Sequence, residues 1–317
     1  MDKRFDVAVV GDINIDLIVV VNTLPKRGEM TYSEKIEKHH GGVGGNIASA
    51  LAKLGLKTIL IGAVGEDPLG VEALRELRRN KVDVSCVKVI PRMPTGFIIV
   101  IVDRDGERTM IGSRGANSEI VIGDVEMKII EDSRHLHISG YTLLNKDVTG
   151  VIKLLRHAVD SGVPTSMDLE GVINLAGDPE EILEELKGLL TLTMVNEYEA
   201  KILFREDVEN ALIKKMLEKL GSRIVVIKLG PRGCIVASSK EVYSIPVFNT
   251  KIVDTTGAGD VFNAGFIYGI LRGLDLVKTA KLANFLGAYK CMKIGARHSP
   301  NITELIEMFP ELGQRLS

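Results

Sequence analysis

Asp254-Thr-Thr-Gly-Ala-Gly-Asp260 runs directly into Val261-Phe-Asn-Ala-Gly-Phe-Ile-Tyr-Gly-Ile270. Small residues and one carboxylate are thereby set where an apolar helix begins. Gly257, Ala258 and Gly259 carry little or no side chain, so a ligand can approach their backbone N–H groups, which at a helix N-terminus point outward at the positive end of the dipole. Such a turn favours a phosphate. Asp260 would fall in the first helical turn, where a carboxylate is stabilised and can also take a proton from a hydroxyl attacking phosphorus. Read alone, Gly-Ala-Gly-Asp is equally well explained as a tight turn followed by an N-terminal helix carboxylate.

Outward from that stretch, short apolar runs alternate with helical periodicity, the pattern of a mostly parallel sheet covered on both faces. Residues 5–10 read as the first strand, followed by a helix over 45–54 that stops at Gly55, a strand over 58–61 and a helix over 68–79. Further strands are expected at 135–138, 165–167, 192–195 and 223–228, and helices near 147–160, 179–188, 208–220, 257–272, 276–292 and 302–308. Two stretches break the rhythm. Residues 16–21 and 30–37 show β-type composition around Pro25-Lys-Arg-Gly28, and 96–102 with 108–111 flank Asp103-Arg-Asp-Gly106, a hairpin signal. They read as a small β-sheet added to the main body.

A chain of 317 residues with 45% hydrophobic content can bury a large α/β core. Its net charge of −2 and pI near 6.3 come without a basic stripe, which argues against nucleic acid as a partner. Apolar runs such as Phe97-Ile-Ile-Val-Ile-Val102 fall far short of the roughly twenty residues that cross a bilayer. With Asp2, Asp6 and Asp12 interrupting any signal-like core, the expected location is cytoplasmic, away from membranes. Cys86, Cys234 and Cys291 are odd in number and lack Cys-x-x-Cys spacing, so they read as buried thiols. The six histidines, His135 and His137 among them, lack metal-ligand spacing and read as structural; zinc is not supported.

Asp12, Asn14 and Asp16 alternate just past the first strand, so in extended chain they point to one side, and the C-terminal ends of parallel strands are where α/β proteins bind ligands. Carboxylates and amides suit polyol hydroxyls, although the same residues also cap turns. Gly41-Gly42-Val-Gly44-Gly45-Asn46 fails the dinucleotide fingerprint because Ile47 stands at the third glycine position, which makes a nicotinamide cofactor a poor fit. Gly-Lys occurs nowhere, which excludes a Walker phosphate loop.

Taken together, Asp254-Thr-Thr-Gly-Ala-Gly-Asp260 with its Phe-Asn-Ala-Gly-Phe flank, and Gly41-Gly42-Val-Gly44-Gly45-Asn46-Ile-Ala48 some two hundred residues earlier, resemble the two signatures of the ribokinase (PfkB) family of carbohydrate and nucleoside kinases. The resemblance implies a three-layer α/β/α ribokinase-like domain over 1–317, with a mostly parallel central sheet and a small β-sheet lid inserted at about 16–38 and 96–112. That sheet would cover the sugar and form the contact of a homodimer. It further implies an ATP-dependent phosphotransferase acting on a primary hydroxyl of a sugar or related polyol, with Asp260 as base and Gly257, Ala258 and Gly259 as the anion hole. A nucleoside or phosphosugar kinase are the alternatives, and a non-catalytic sugar-binding regulator would be expected to lose Asp260.

Residue by residue, Asp12, Asn14, Asp16, Gly41, Gly42 and Asn46 match the family's substrate side. Asn196-Glu-Tyr-Glu199 resembles its Asn-x-x-Glu motif, through which Mg²⁺ is organised largely by way of water; the same residues spell a helix capping box. Lys228, Gly230, Gly233 and Asn284 fall where the family borders ATP, whereas Arg232 reads by default as a solvated turn residue. Asp254, Thr256, Lys290, Lys293, Gly295 and Ser299 match a loop that holds a monovalent cation, K⁺, mostly through backbone carbonyls. Ribokinases place an acid near Ser139-Gly140-Tyr141, which sets ribose itself apart. Lys38, Arg92 and Arg114 are candidate cations for a phosphosugar, and Tyr32, Phe97 and Tyr141 candidate faces for a nucleobase.

Overall fold

The computed structural model describes residues 3–104, 107–175, 178–208 and 210–309. In chain order the elements are β1 (Val7–Val10), β2 (Asn14–Val21), β3 (Ser33–Gly41), α1 (Val43–Lys53), β4 (Thr58–Gly65), α2 (Pro68–Arg79), β5 (Asp83–Ile90), β6 (Gly96–Val102) and β7 (Arg108–Ser113). They continue as α3 (Asp124–Glu131), β8 (Leu136–Ser139), α4 (Val148–Asp160), β9 (Thr165–Asp168), α5 (Pro179–Glu185), β10 (Leu192–Asn196), α6 (Glu197–Phe204), α7 (Asn210–Leu220) and β11 (Ile224–Lys228). β12 (Cys234–Ser238), β13 (Val242–Ile245), α8 (Ala258–Leu271), α9 (Leu276–Lys290) and α10 (Ile302–Met308) complete the chain.

One large sheet has the order β13-β12-β11-β10-β9-β8-β1-β4-β5. From β5 across to β11 every pairing is parallel, and β12 and β13 close one edge antiparallel. Helices cover both faces, which is why β4 is buried along its whole length. Alternate residues of β1 feed two cores: Val7 and Val9 pack on the side of α1 and α8, Ala8 and Val10 on the side of α4 and α7. The apolar stretch after Asp260 becomes α8, buried from Asp260 to Gly269 and packed closely against α9, where Gly265 faces Ala283 and Leu286. Among the described residues no helix is long and apolar enough to cross a membrane.

The small sheet has the order β3-β2-β6-β7, with β2 and β6 parallel and both outer pairings antiparallel. β3 runs to Gly41 and so delivers the glycine motif to the end of the large sheet. The hairpin signal at Asp103-Arg-Asp-Gly106 includes residues outside those described. Pattern reading passed over β5, α3, α6, β12 and β13. β5 is an edge strand whose Ser85 and Lys88 break the apolar run, and α3 and α6 are eight residues each, too short for periodicity to declare itself.

Close backbone contact seats α1 on the sheet. A Cβ at Gly44 would lie 2.5 Å from the carbonyl carbon of Gly11, at the end of β1, so the helix N-terminus reaches the strand end only because both residues lack side chains. Gly44→Ala should therefore destabilise the fold by about 1–3 kcal/mol through overpacking. Its urea midpoint should fall relative to Gly123→Ala, where nothing stands closer than 3.4 Å.

Candidate active site

The base candidate sits where the helix dipole and burial act against each other. Gly257 caps α8 with φ +76°, a left-handed conformation that glycine tolerates, and its backbone rests on the carbonyl of Ala296. Asp260 follows in the first turn, 7% exposed, and its Oδ2 accepts a 2.7 Å hydrogen bond from Asn46 Nδ2 on α1. Burial pushes Asp260 up to about 6, opposed by the Asn46 hydrogen bond and the charge of Lys228. Asp16 stands at the mouth of β2, also raised to about 6 by burial against the pull of Arg297, with Asp260 adding to the rise. Its Oδ1 is buried without a partner among the described residues, and Gly41 has no Cβ because the Asp16 carboxylate fills that space.

Arg297 binds these pieces together, and nothing in the sequence singled it out beyond its place in the tail. Its Nε donates to Asn46 Oδ1 at 3.0 Å, its Nη2 to the Gly41 carbonyl at 2.7 Å, and its Nη1 to Glu76 on α2. A guanidinium only donates, so Asn46 must turn its oxygen toward Arg297 and its N–H toward Asp260. Asn46, expected against the substrate, therefore has its amide committed to Arg297 and Asp260. Gly45 leaves the room that the guanidinium occupies. Gly42, at φ +85°, meets the Asp12 carbonyl and Asn14 N–H where a Cβ would stand.

Asn117, also unforeseen, is buried in a 3₁₀ turn after β7. It accepts from Ile13 N (2.9 Å) and donates to Ile13 O (3.1 Å) and Asn14 Oδ1 (2.8 Å), which fixes the chain between β1 and β2. Asp12 accepts from Arg114 at 3.0 Å; burial raises its pKa, with Arg114 opposing. The other two phosphate-clamp candidates lie apart: Lys38 pairs with Glu72 at 2.6 Å, and Arg92 is exposed. Tyr141 is the stacking candidate beside the carboxylates, pushed up to about 12 by burial and by Glu170, Glu199 and Asp260. Tyr32 is exposed, and Phe97 packs on the core. Glu170 accepts from Ser139 Oγ at 3.2 Å, so an acid does stand beside Ser139, contributed by the segment after β9; burial and Asp168 hold it well above the carboxylate range.

On the other side of the Gly257–Gly259 turn, Lys228 at the end of β11 is ion-paired to Asp168, itself accepting from Asn263 of α8 at 2.6 Å. Burial lowers the pKa of Lys228, but Asp168 and Glu170 outweigh it and hold it high. The ammonium lies 3.5 Å from where a Cβ of Gly259 would be, at the N-terminus of α8. Asp168 and Glu170 at the end of a parallel strand satisfied the same criterion that selected Asp12 and were overlooked. A cavity of about 320 Å³ adjoins, lined by Lys228, Gly230, Gly233, Ala258, Gly259 and Asn284. Asn284 also donates to the Ile245 and Pro246 carbonyls, at 2.9 and 3.2 Å. Arg232 pairs with Glu197 in an exposed turn.

Asn196 and Glu199 form a reciprocal capping box on α6, Glu199 N donating to Asn196 Oδ1 at 2.9 Å and Asn196 N to Glu199 Oε2 at 3.2 Å. Among the described residues no group of three or more acids, histidines or cysteines could hold a metal directly. A Mg²⁺ ion would accordingly have to be carried mainly by water and nucleotide phosphates, and Asn196 and Glu199 are the residues that would hold it. His135 and His137 share the hydroxyl of Ser166, at 2.7 and 2.9 Å, and burial, which disfavours the charged ring, drives them down to about 3 and about 4. The three cysteines are free thiols.

The cation loop departs from expectation at Lys290. Its carbonyl was to face the ion, yet the side chain turns inward, with Nζ donating to the Asp254 carbonyl at 2.6 Å and the Lys293 carbonyl at 3.5 Å. The last turn of α9 lies directly under the 254–257 segment, so its lysine reaches the oxygens from below. Asp254 accepts from Thr256 N and Gly295 N, each at 2.9 Å; burial alone would raise its pKa, and these bonds with Lys290 hold it low. Ser299 Oγ is buried and has no partner among the described residues.

Residues 4–303 match the profile of the pfkB family of carbohydrate kinases. An ATP-dependent ribose-1-phosphate kinase of Halopiger xanaduensis is 32% identical over 295 residues, covering 92% of this chain and 93% of that protein. A Lactococcus lactis ribokinase is 29% identical, covering 96% and 97%. The structure of Arabidopsis thaliana ribokinase complexed with ribose and ATP superposes with a TM-score of 0.84 at 25% identity, covering 96% of this chain and 98% of that one. With both signatures at one site and the match extending over nearly the whole sequence, the chain belongs to the pfkB family of carbohydrate kinases.

Proposed function

We propose that this kinase transfers the γ-phosphoryl group of ATP to a primary hydroxyl of a sugar or related polyol, with Asp260 as general base. The observation that carries the reading is Asp260 in the first turn of α8, tied to Asn46 on one oxygen and preceded by the half-buried small-residue turn of Gly257 to Gly259. The acceptor hydroxyl gives its proton to Asp260 as its oxygen bonds to phosphorus, and the bond to the departing ADP oxygen breaks. Backbone N–H groups of the anion hole and the Lys228 ammonium oppose the charge on the transferring group. Asn196 and Glu199 would hold Mg²⁺ by way of water; when bound, the ion neutralises phosphate charge. Asp12, Asn14 and Asp16 would hold the acceptor, with Asn117 and Arg114 keeping them in place.

An unphosphorylated acceptor suits this floor. Arg114, the only one of the three clamp candidates beside it, is already met by Asp12, so a second phosphate there would displace an ion pair and face Asp16. With ATP and Mg²⁺, kcat/KM for some free sugar, polyol or nucleoside should exceed that for fructose 6-phosphate, fructose 1-phosphate and ribose 1-phosphate; a phosphosugar in first place would overturn this part of the reading. Tyr141 favours a nucleoside as the second reading, in which case Tyr141→Ala should raise KM for nucleosides and spare sugars. The small sheet would act as the lid and dimer contact, since β7 exposes Met110 and Ile111 and β3 exposes Ile36. Sedimentation at rising concentration checks for the dimer.

Asp260→Asn should lower turnover by about 10²- to 10⁴-fold with the fold intact. Near-normal turnover in that variant would remove Asp260 as base. Because the Asp16 and Asp260 pair sits near 6, kcat/KM should fall as pH drops through about 6, the base being unable to accept a proton once protonated. Groups facing Asp260 are Asp16, Asp168, Glu170, Tyr141, Lys228 and Arg297. Removing a cation favours the protonated acid, so Arg297→Gln should move the acid limb to higher pH. Glu76→Gln, which frees the Arg297 charge, should move it lower.

A further inference from the structure

We propose that the Lys290 ammonium occupies the place of a monovalent cation beneath the anion hole, so that this protein carries its own cation there and needs no K⁺. The side chain of Lys290 is fully buried, an arrangement that is costly for an ammonium unless several oxygens receive it. They do: Asp254 O at 2.6 Å, Lys293 O at 3.5 Å, and the Asp254 carboxylate with Oδ2 at 3.3 Å. Two backbone carbonyls and a carboxylate around one positive charge make the donor set expected of a K⁺ site, and here a tethered charge fills it. Burial lowers the pKa of Lys290, and the adjoining Asp254 carboxylate opposes that shift.

The position explains what the charge does. Asp254 holds Thr256 N and Gly295 N, and Gly257 rests against Ala296, so the ammonium fastens two loops that together carry the turn of Gly257 to Gly259. Arg108 of the small sheet donates to Thr256 Oγ1 at 3.0 Å, which joins that sheet to the same loop. A mobile ion would leave these loops loose when dissociated, whereas a lysine anchored in the last turn of α9 does not leave. Ser299 Oγ, buried and without a partner among the described residues, is the group a bare ion could still recruit. The response of the unaltered protein to K⁺ is therefore a test in itself.

The experiment compares KCl with tetramethylammonium chloride at one ionic strength, by thermal unfolding and by turnover. Only the turnover arm rests on the phosphotransfer reading; the unfolding arm stands if that reading fails. The unaltered protein should give the same melting temperature and rate in both salts. Lys290→Ala should melt lower and turn over on the order of tenfold more slowly in tetramethylammonium, the scale of one lost electrostatic contact at such a site, and K⁺ should restore both. Should the alanine variant fail to fold in either salt, Lys290→Gln, which keeps an N–H donor without the charge, is measured for the same K⁺ response. A K⁺-dependent rise in the unaltered protein, or a folded variant indifferent to K⁺, would overturn the proposal.

Discussion

The guanidinium of Arg297 is the contact on which the rest of the site depends. It brings together a C-terminal loop, the glycine motif between β3 and α1, and α2, three segments far apart in the chain. Arginine suits the task because its planar donors are fixed in direction and cannot accept, so each partner must present an oxygen. Asn46 meets that demand with its carbonyl, and its N–H is thereby aimed at Asp260. A lysine in the same place would supply charge without orientation. The hydrogen bond that Asp260 receives is thus set by a residue that touches Asp260 only through Asn46.

Charge balance is the second constraint. Asp12, Asp16, Asp168, Glu170, Glu199 and Asp260 lie close enough to influence one another or shared neighbours, answered by Arg114, Arg297, Lys228 and, beside the Gly257–Gly259 turn, Lys290. Burial raises most of these carboxylates, and each cation limits the rise at its own neighbour. The result is a set of carboxylates on the β2 side and a helix start with a lysine on the α8 side, with Asp260 between them. Parallel strand ends and a helix N-terminus supply the geometry, as open α/β sheets generally do.

Pattern reading located the parts unevenly, and the reasons are physical. β1, β4 and β11 and the long helices announce themselves because these central strands are almost wholly apolar and long helices repeat their period several times. The edge hairpin β12–β13 and the short helices carry too few repeats to do so. Asn117 gives no signal at all: it is a single amide in a polar turn, and its role exists only because that turn folds against Ile13 and Asn14.

What the sequence by itself determined is the chemistry on offer: a glycine-rich helix start with a carboxylate, a polar strand end, a second glycine motif and, through them, the family. Those features are local, since backbone freedom and dipole direction follow from neighbouring residues. Only the tertiary structure decided how the polar groups pair. Asn46 turned toward Asp260, Glu170 took the position beside Ser139, and the Lys290 side chain entered a loop where its carbonyl alone was expected. A side chain's direction depends on which other segment lies within reach, and that distance is set by how helices pack on the sheet, which no stretch of neighbouring residues encodes.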